Sequence, residues 1–149
     1  EPIVINLPTL PEQAANIAEL LQGAHADAFA WGDMAVLCRD TKARDLCAST
    51  LAKRGVPEQN RLGPGDYDPL ANSVKVMTMK VSKGLEFPVV ALPGVGHMPA
   101  AGEDEKEAAR VFYVAATRAT QKLVIGVSGN AGFGASFGSI NARKSIRNC

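Results

Sequence analysis

Short apolar runs alternate along this chain with segments in which apolar residues recur every three or four positions. Runs that are apolar at nearly every position are typical of strands buried on both faces of a parallel sheet, because crossover helices cover each side. The alternation therefore predicts an α/β domain built on a mostly parallel sheet. The five predicted strands are residues 3–5, 34–38, 74–78, 89–92 and 122–127.

The segments between these strands carry the start and stop signals of helices. Thr9 is placed to cap a first helix, whose apolar pattern stops at Gly23. Either Asp40 or Thr41 is placed to cap a second helix. Apolar residues at helical spacing predict a third helix across residues 108–115.

The composition excludes several classes of protein. The chain has 149 residues, 46% of them hydrophobic and 21% charged, as expected of one globular domain with a core. No apolar run approaches the ~20 residues that cross a membrane, so we expect no membrane contact. Cys38, Cys47, Cys149, His25 and His97 have no metal-like spacing, and we expect no bound metal. The odd and sparse cysteine count favours a reducing compartment and predicts a cytoplasmic protein.

Polar residues that follow the predicted strands are the first candidates for a site. Ligands of parallel sheets lie beyond the carboxyl ends of the strands. Arg39 follows one strand directly, and the segments 78–84 and 94–97 follow two others. We expect Arg39 to lie at the same edge of the sheet as the stretch 83–86 and as Arg118.

The stretch Lys83-Gly84-Leu85-Glu86 has the chemistry of a nucleotide contact. Gly84 permits a tight turn and a close approach of the backbone to a ligand. Backbone N–H groups that open a helical turn can hold an anion, and Glu86 can accept a hydrogen bond from a ribose hydroxyl. A plain β-turn with a surface lysine and glutamate is the simpler interpretation of these four residues taken alone.

Arg118 follows Thr117 at the end of the third predicted helix. A cation there can complement the helix dipole, which is the favoured interpretation of this residue by itself. It can also stabilise charge on a transferring phosphoryl group, because the guanidinium fork binds phosphate bidentately. The sequence contains no Gly-x-x-x-x-Gly-Lys-Ser/Thr segment, so the chain has no triphosphate-binding P-loop of its own.

Three segments, taken in order, resemble motifs IV, V and VI of the UvrD/Rep group of superfamily 1 DNA helicases. They are "MAVLCRDTKARDLCASTLAKRGVP", "TMKVSKGLEFPVVALPGVG" and "EAARVFYVAATRATQKLVI". The resemblance covers residues 1–127 and implies the second, C-terminal RecA-like motor domain, a three-layer α/β domain with a mostly parallel sheet and no P-loop. Residues 128–149 are interpreted as a Gly-rich, basic tail, partly disordered.

The resemblance implies a role for each candidate residue. Arg39 and Arg118 would reach the γ-phosphate of ATP, while Glu86 would contact the ribose and Gly84 would shape the loop. The N-terminal P-loop motor domain of the same protein would hold most of the ATP and its Mg²⁺. We therefore expect this chain alone not to hydrolyse ATP.

The same resemblance implies translocation along single-stranded DNA with 3′–5′ polarity. Two groups of residues would take part, one along the DNA backbone and one linking motif VI to its neighbours. The first group is Thr78, Lys80, Ser82 and Lys83, and the second is Glu107, Arg110 and Tyr113.

The chain departs from the family pattern at three places. Lys80 stands where the family usually has His, and Cys38 stands where an aromatic residue commonly stacks on adenine. Only residues 61–73 stand where many relatives carry a large inserted domain. Lys80 and Cys38 favour an alternative, a non-catalytic nucleic-acid-binding or protein-interaction module of RecA-like shape.

Overall fold

A computed structural model describes residues 2–61, 67–82, 84–95 and 104–127. Within these residues the chain alternates between strands and helices, as the sequence pattern predicts. The strands are β1 (Ile3–Asn6), β2 (Met34–Cys38), β3 (Glu58–Asn60), β4 (Val74–Thr78), β5 (Phe87–Leu92) and β6 (Ala119–Val127). The helices are α1 (Leu10–Ala26), α2 (Thr41–Lys53) and α3 (Glu105–Ala116), with 3₁₀ turns at Trp31–Asp33 and Met79–Ser82. The proposed tail at 128–149 lies outside the described residues.

The six strands form one sheet in the order β1-β6-β5-β2-β4-β3. Each neighbouring pair in the described part of the chain is parallel, which confirms the predicted parallel α/β fold. All carboxyl ends of the strands therefore lie at one edge of the sheet, and all amino ends lie at the opposite edge.

Helices cover both faces of the sheet, and this explains why β2 is apolar at every position. Met34, Val36 and Cys38 point into the core beneath α1 and α2. Ala35 and Leu37 point into the core beneath α3. All five side chains are fully buried, so neither face of this strand tolerates a polar residue without loss of apolar burial.

The helix caps match the sequence signals, but one helix is longer than predicted. The Thr9 hydroxyl accepts a hydrogen bond from the Glu12 backbone N–H at 3.3 Å at the start of α1. The end predicted at Gly23 is wrong, because α1 continues to Ala26. Glycine costs a helix interior about 1 kcal/mol, and the burial of Ala24 in the core opposes that cost.

Asp40 rather than Thr41 caps α2. Its carboxylate accepts a hydrogen bond from the Ala43 backbone N–H at 2.8 Å. At the other end of this helix Gly55 adopts a left-handed conformation with φ of 75°, and the chain then turns into β3.

The short strand β3 was not predicted from the sequence. Its residues, Glu-Gln-Asn, are polar and half-buried, and they show no strand pattern. Backbone pairing with β4 holds this strand at the edge of the sheet. The Arg61 N–H extends the pairing with a bond of 2.8 Å to the Val76 carbonyl.

A buried glutamine joins α1 to the carboxyl ends of three strands. The Gln13 side chain is fully buried. Its Nε2 donates to the carbonyls of Leu7 and Val127 at 3.1 and 3.2 Å, and its Oε1 accepts from the Gly94 N–H at 2.8 Å. Gly126 lies against the same amide, because a Cβ built there would collide with Oε1. These contacts hold β1, β6 and β5 in place at the edge where ligands of parallel sheets bind.

Among the described residues, no helix combines the length and the apolarity that crossing a membrane requires. The same part of the chain contains no cluster of His, Cys, Asp and Glu side chains suited to a metal ion.

Candidate functional site

The segment between β4 and β5, residues 79–86, runs from one edge of the sheet to the other. It leaves Thr78 at the carboxyl edge and forms the 3₁₀ turn Met79–Ser82. The Leu85 N–H then donates to the Ser82 carbonyl at 3.0 Å. At Phe87 the chain enters β5 from the amino edge. This one short segment therefore connects the two edges, and Lys83 within it lies outside the described residues.

Three candidate residues lie at the amino edge, and we call Gly84, Glu86 and Arg118 the amino-edge group. The Phe87 N–H donates to the Arg118 carbonyl at 2.9 Å, and Phe87 is in register with Ala119. Glu86 and Arg118 thus precede two neighbouring strands at the same level of the sheet. The sequence separates them by more than thirty positions, and the β5–β6 pairing brings their backbones together.

The Arg118 side chain is half-buried and held by its own helix. Nε donates to the Val114 carbonyl at 3.0 Å, and Nη2 donates to the Thr117 hydroxyl at 3.2 Å. The guanidinium therefore satisfies a helix C-terminal carbonyl, as the dipole interpretation requires. An arginine side chain has five N–H donors, so these two contacts with described residues leave three that can hold an acceptor.

Gly84 is required for its backbone conformation rather than for close packing. Its φ is 82°, in the left-handed region that residues with a Cβ rarely adopt. A Cβ built on Gly84 would meet no described atom within 4 Å. Glu86 follows on the exposed side of this turn, where its carboxylate is open to solvent.

Three other candidates lie at the carboxyl edge, and we call Arg39, Thr78 and Lys80 the carboxyl-edge group. Cys38 and Thr78 are in register on β2 and β4, so Arg39 and Met79 leave neighbouring strands together. Arg39 contacts the Asp40 carboxylate at 3.4 Å. Thr78 is half-buried, and Lys80 is exposed on the 3₁₀ turn.

Ser82 does not fit the role that the resemblance implies for it. The side chain is fully buried, and its hydroxyl donates to the Met79 carbonyl at 2.6 Å. That bond closes the 3₁₀ turn from inside. In this conformation the hydroxyl supports the turn and is not exposed to a DNA strand.

The expectation that Arg39 shares one edge with Glu86 and with Arg118 is wrong. Arg39 follows β2, whereas Arg118 precedes β6, and in a parallel sheet these positions lie at opposite edges. At about 3.3 Å per residue, the register places the two backbones roughly 25 Å apart along the strand direction. Two arginine side chains cannot reach one phosphate across that distance. The sequence already indicated this separation, since Arg39 follows its predicted strand whereas Arg118 precedes its predicted strand.

The remaining predicted residues have mixed outcomes. Arg110 and Glu107 form an ion pair within α3, at 2.9 Å, and Tyr113 is exposed. His25 stacks on Trp31 with ring centroids 3.8 Å apart, and its Nδ1 lies 2.9 Å from the Phe29 carbonyl. These contacts give His25 a packing role, while His97 lies outside the described residues.

Two residues near the carboxyl edge were missed by the sequence reasoning. Gln13 lies four positions before Ile17 on the buried side of α1, and that helical spacing marks it as inward-facing. Lys42 lies in the first turn of α2, next to the Asp40 cap and close to Arg39. Its position after a buried strand was a usable signal, because the first turn of the following helix lies at the ligand-binding edge.

Comparisons with known proteins agree with the fold. Residues 58–130 match the family of the UvrD-like helicase C-terminal domain. The chain also resembles the crystal structure of the C-terminal domain of a possible DNA helicase from Lactobacillus plantarum WCFS1. That likeness has a TM-score of 0.69 at 20% identity, and it covers 88% of this chain and 76% of the other. None of the curated protein sequences matches the chain.

The parallel sheet, with its two edges joined by one segment, and this structural likeness show a RecA-like α/β fold. More particularly, residues 58–130, just under half of the chain, match the UvrD-like helicase C-terminal domain. The matched residues include the 79–86 segment and Arg118 but not Arg39.

Proposed function

We propose that this chain is the C-terminal motor domain of an ATP-dependent DNA helicase that moves 3′–5′ along single-stranded DNA. The observation that carries the proposal is the course of residues 79–86, which link Thr78 and Lys80 at one edge to Glu86 and Arg118 at the other. In this proposal, a shift at one end of so short a segment is transmitted to the other end. The polarity is implied by the family resemblance.

The amino-edge group forms one side of the ATPase site in this proposal. The three remaining Arg118 donors suit an anionic phosphate, and the exposed Glu86 carboxylate suits a ribose hydroxyl. The described residues contain no cradle for a triphosphate, so ATP and Mg²⁺ would be held mainly by the N-terminal P-loop domain. Arg118 would then stabilise negative charge that develops on the transferred phosphoryl group.

The carboxyl-edge group forms the DNA contact in this proposal. Lys80 supplies an exposed cation, Thr78 supplies a hydroxyl, and Arg39 lies on the adjacent strand end. We assign Arg39 to the DNA backbone rather than to ATP, because of its distance from Arg118. Lys83 keeps the DNA-contacting role that the resemblance implies, and Ser82 is assigned to the turn instead.

Arg118 provides the direct test of the ATPase site. In a helicase that joins this chain to its P-loop domain, we expect Arg118→Ala to lower DNA-stimulated ATP turnover by about 10³-fold, as for other arginine fingers. The control is Arg54→Ala, which removes a surface ion pair with Glu19 on the opposite helical layer. Near-normal turnover of the Arg118 variant would exclude the finger role, and robust hydrolysis by the 149-residue chain alone would refute a site shared between two domains.

A second candidate function is a non-catalytic binding module of the same shape. Lys80 in place of the usual His and the buried Cys38 favour it. The two functions differ in what precedes this chain in the whole polypeptide. A P-loop segment followed by a strand that ends in Asp-Glu supports the helicase, and the absence of both supports the binding module.

A further inference from the structure

Two stacked aromatic rings lie at the amino edge, and we call His25 and Trp31 the aromatic pair. Their ring centroids are 3.8 Å apart, and the planes of the two rings differ by 15°. Trp31 is half-buried against the core beneath α1 and α2, whereas His25 is exposed. The imidazole face that Trp31 does not cover is therefore open to a third ring, and flat rings stack favourably on such a surface.

Contacts on both sides of the aromatic pair hold it in place. The His25 Nδ1 lies 2.9 Å from the Phe29 carbonyl. The Gly32 N–H donates to the Asn72 side-chain oxygen at 2.9 Å, and this bond fixes the 3₁₀ turn that carries Trp31. The pair is thus ordered before any ligand binds, which lowers the entropic cost of binding.

The strand order places the aromatic pair beside the amino-edge group. Arg118 directly precedes β6, Glu86 directly precedes β5, and the turn Trp31–Asp33 directly precedes β2. These three strands are neighbours in the order β6-β5-β2, and their registers put the three starting points at similar levels of the sheet. With strands about 4.8 Å apart, the three features follow one another along roughly 10 Å of the edge.

ATP has its phosphates, its ribose and its base in that same order. The free donors of Arg118 suit a phosphate and the Glu86 carboxylate suits a ribose hydroxyl, so a nucleotide bound by both would direct its base toward β2. Arg118 is held by α3 on one face of the sheet, whereas the aromatic pair lies on the α1 face. The nucleotide would therefore cross the amino edge at the start of β5, and its base would arrive at the open face of His25.

We propose that the aromatic pair stacks on the base of ATP, with His25 in direct contact and Trp31 behind it. This inference rests on the proposed function, because it takes Glu86 and Arg118 as the ribose and phosphate contacts. Stacking is sequence-tolerant because every base has a flat face, so the pair adds affinity without selecting adenine. The base does not react, so the stack is equally strong in the bound substrate and in the transition state, and it lowers KM without raising kcat.

The test is the ATPase kinetics of a helicase that joins this chain to its P-loop domain. His25→Ala should raise KM for ATP about tenfold, the size of losing one base stack, and leave kcat unchanged. His25→Phe keeps a ring but loses the contact with the Phe29 carbonyl, and it should keep KM near that of the unmodified enzyme. The matched control is Gln22→Ala on the preceding turn of α1, which should not change KM.

Ribose triphosphate, which has no base, separates stacking from a general effect on the fold. Its KM should be the same for the unmodified enzyme and for His25→Ala. An equal rise in KM for ATP and for ribose triphosphate would overturn the proposal, and so would a failure of His25→Phe to restore the KM for ATP.

A measurement on the unmodified helicase covers the case in which the variants fail to fold. Photolabelling with an azido-adenine analogue of ATP, followed by peptide mapping, should place label on the peptide that contains His25 and Trp31. Label confined to the P-loop domain, with ATP turnover intact, would overturn the stacking proposal and leave the proposed function intact. A complete helicase that neither hydrolyses ATP nor takes up label would overturn both.

Discussion

Cys38 lies at a position that suggests a role in the site, but its burial prevents that role. It ends β2 beside the candidate Arg39, yet its thiol is fully buried and lies against Cys47 of α2. A hydrogen bond with Cys47 and burial together raise the pKa of the Cys38 thiol well above its usual range. Both cysteines are free thiols. A buried, protonated thiol neither attacks nor ligates, and it cannot stack on a base.

We expect the two buried thiols to resist modification in the folded chain. With Cys149→Ser in place, a disulfide-exchange reagent at neutral pH should modify neither Cys38 nor Cys47 until denaturant unfolds the protein, when both should react. The denatured sample is the positive control. Rapid reaction of either thiol under native conditions would contradict the burial.

The raised Cys38 pKa also predicts how stability depends on pH. The unfolded thiol ionises near pH ~8.5, whereas the folded thiol stays protonated to higher pH. The stabilisation is therefore fully present below ~8.5 and is lost as the pH rises toward the folded-state pKa. Urea unfolding of the native chain and of Cys38→Ala should show a difference in unfolding free energy that shrinks between about pH 7 and about pH 9.5. A difference in unfolding free energy that stays constant over this pH range would contradict the raised pKa of Cys38.

The 79–86 segment is the element on which the proposed coupling depends. Its 3₁₀ turn packs against the α3 side of the sheet through Met79, and its end is fixed by the Phe87–Arg118 backbone bond. Gly84 gives the chain the left-handed conformation that this course requires. The element is therefore specified by backbone geometry as well as by its side chains.

Gly84 and Gly55 offer a matched pair of substitutions for this element. Both have positive φ, and in neither would an added Cβ meet a described atom within 4 Å. We expect alanine at either position to cost about 1–2 kcal/mol of unfolding free energy, because of backbone strain alone. Only Gly84→Ala should also lower ATP turnover of the complete helicase, measured where both variants are folded. Equal ATP turnover of the two variants would exclude a role for Gly84 in the ATPase site.

The α1 helix positions the carboxyl edge through Gln13. We expect Gln13→Ala to lower the free energy of unfolding by about 3 kcal/mol, since the Gly94 N–H and the Leu7 carbonyl lose this partner and the Val127 carbonyl keeps only its bond from the Leu7 N–H. Gln22→Ala, elsewhere on the same helix, should change it by less than about 1 kcal/mol. Denaturant unfolding measures both, and a small loss at Gln13 would show that water replaces the amide.

At the scale of the whole molecule, the parallel sheet gives the domain two distinct edges. The amino-edge group and the carboxyl-edge group are separated by the length of the strands, so each can face a different partner. The proposed function assigns nucleotide to the first and DNA to the second. Substitutions at the amino edge should then lower ATP turnover, whereas substitutions at the carboxyl edge should weaken DNA binding.

Arg39→Ala tests this separation. We expect it to weaken single-stranded DNA binding and to lower the salt dependence of binding by about one unit of slope, as for the loss of one phosphate contact. ATP turnover at saturating DNA should stay near that of the unmodified helicase, unlike that of Arg118→Ala. A large loss of ATP turnover with unchanged DNA affinity would instead indicate that Arg39 acts at the ATP site.

The amino-acid sequence by itself determined the class of fold and much of the local structure. Buried strands are continuous apolar runs, and helix caps are short-range signals, so both can be recognised without knowing which strands are neighbours. The sequence predicted the Thr9 cap and left the second cap open between Asp40 and Thr41. The residues 83–86 alone favoured a plain β-turn, and the resemblance of three segments in order marked this stretch as a candidate site.

Only the tertiary structure decided the strand order, the edge strand β3 and the contacts of Gln13. Each depends on residues far apart in the chain: β3 is held by pairing with β4, and Gln13 is satisfied by carbonyls and an N–H from three strand ends. Strand order likewise placed Glu86 beside Arg118 and put Arg39 at the opposite edge. Local patterns report which side chains are buried, whereas the identity of a neighbour is set by pairing across the whole sheet.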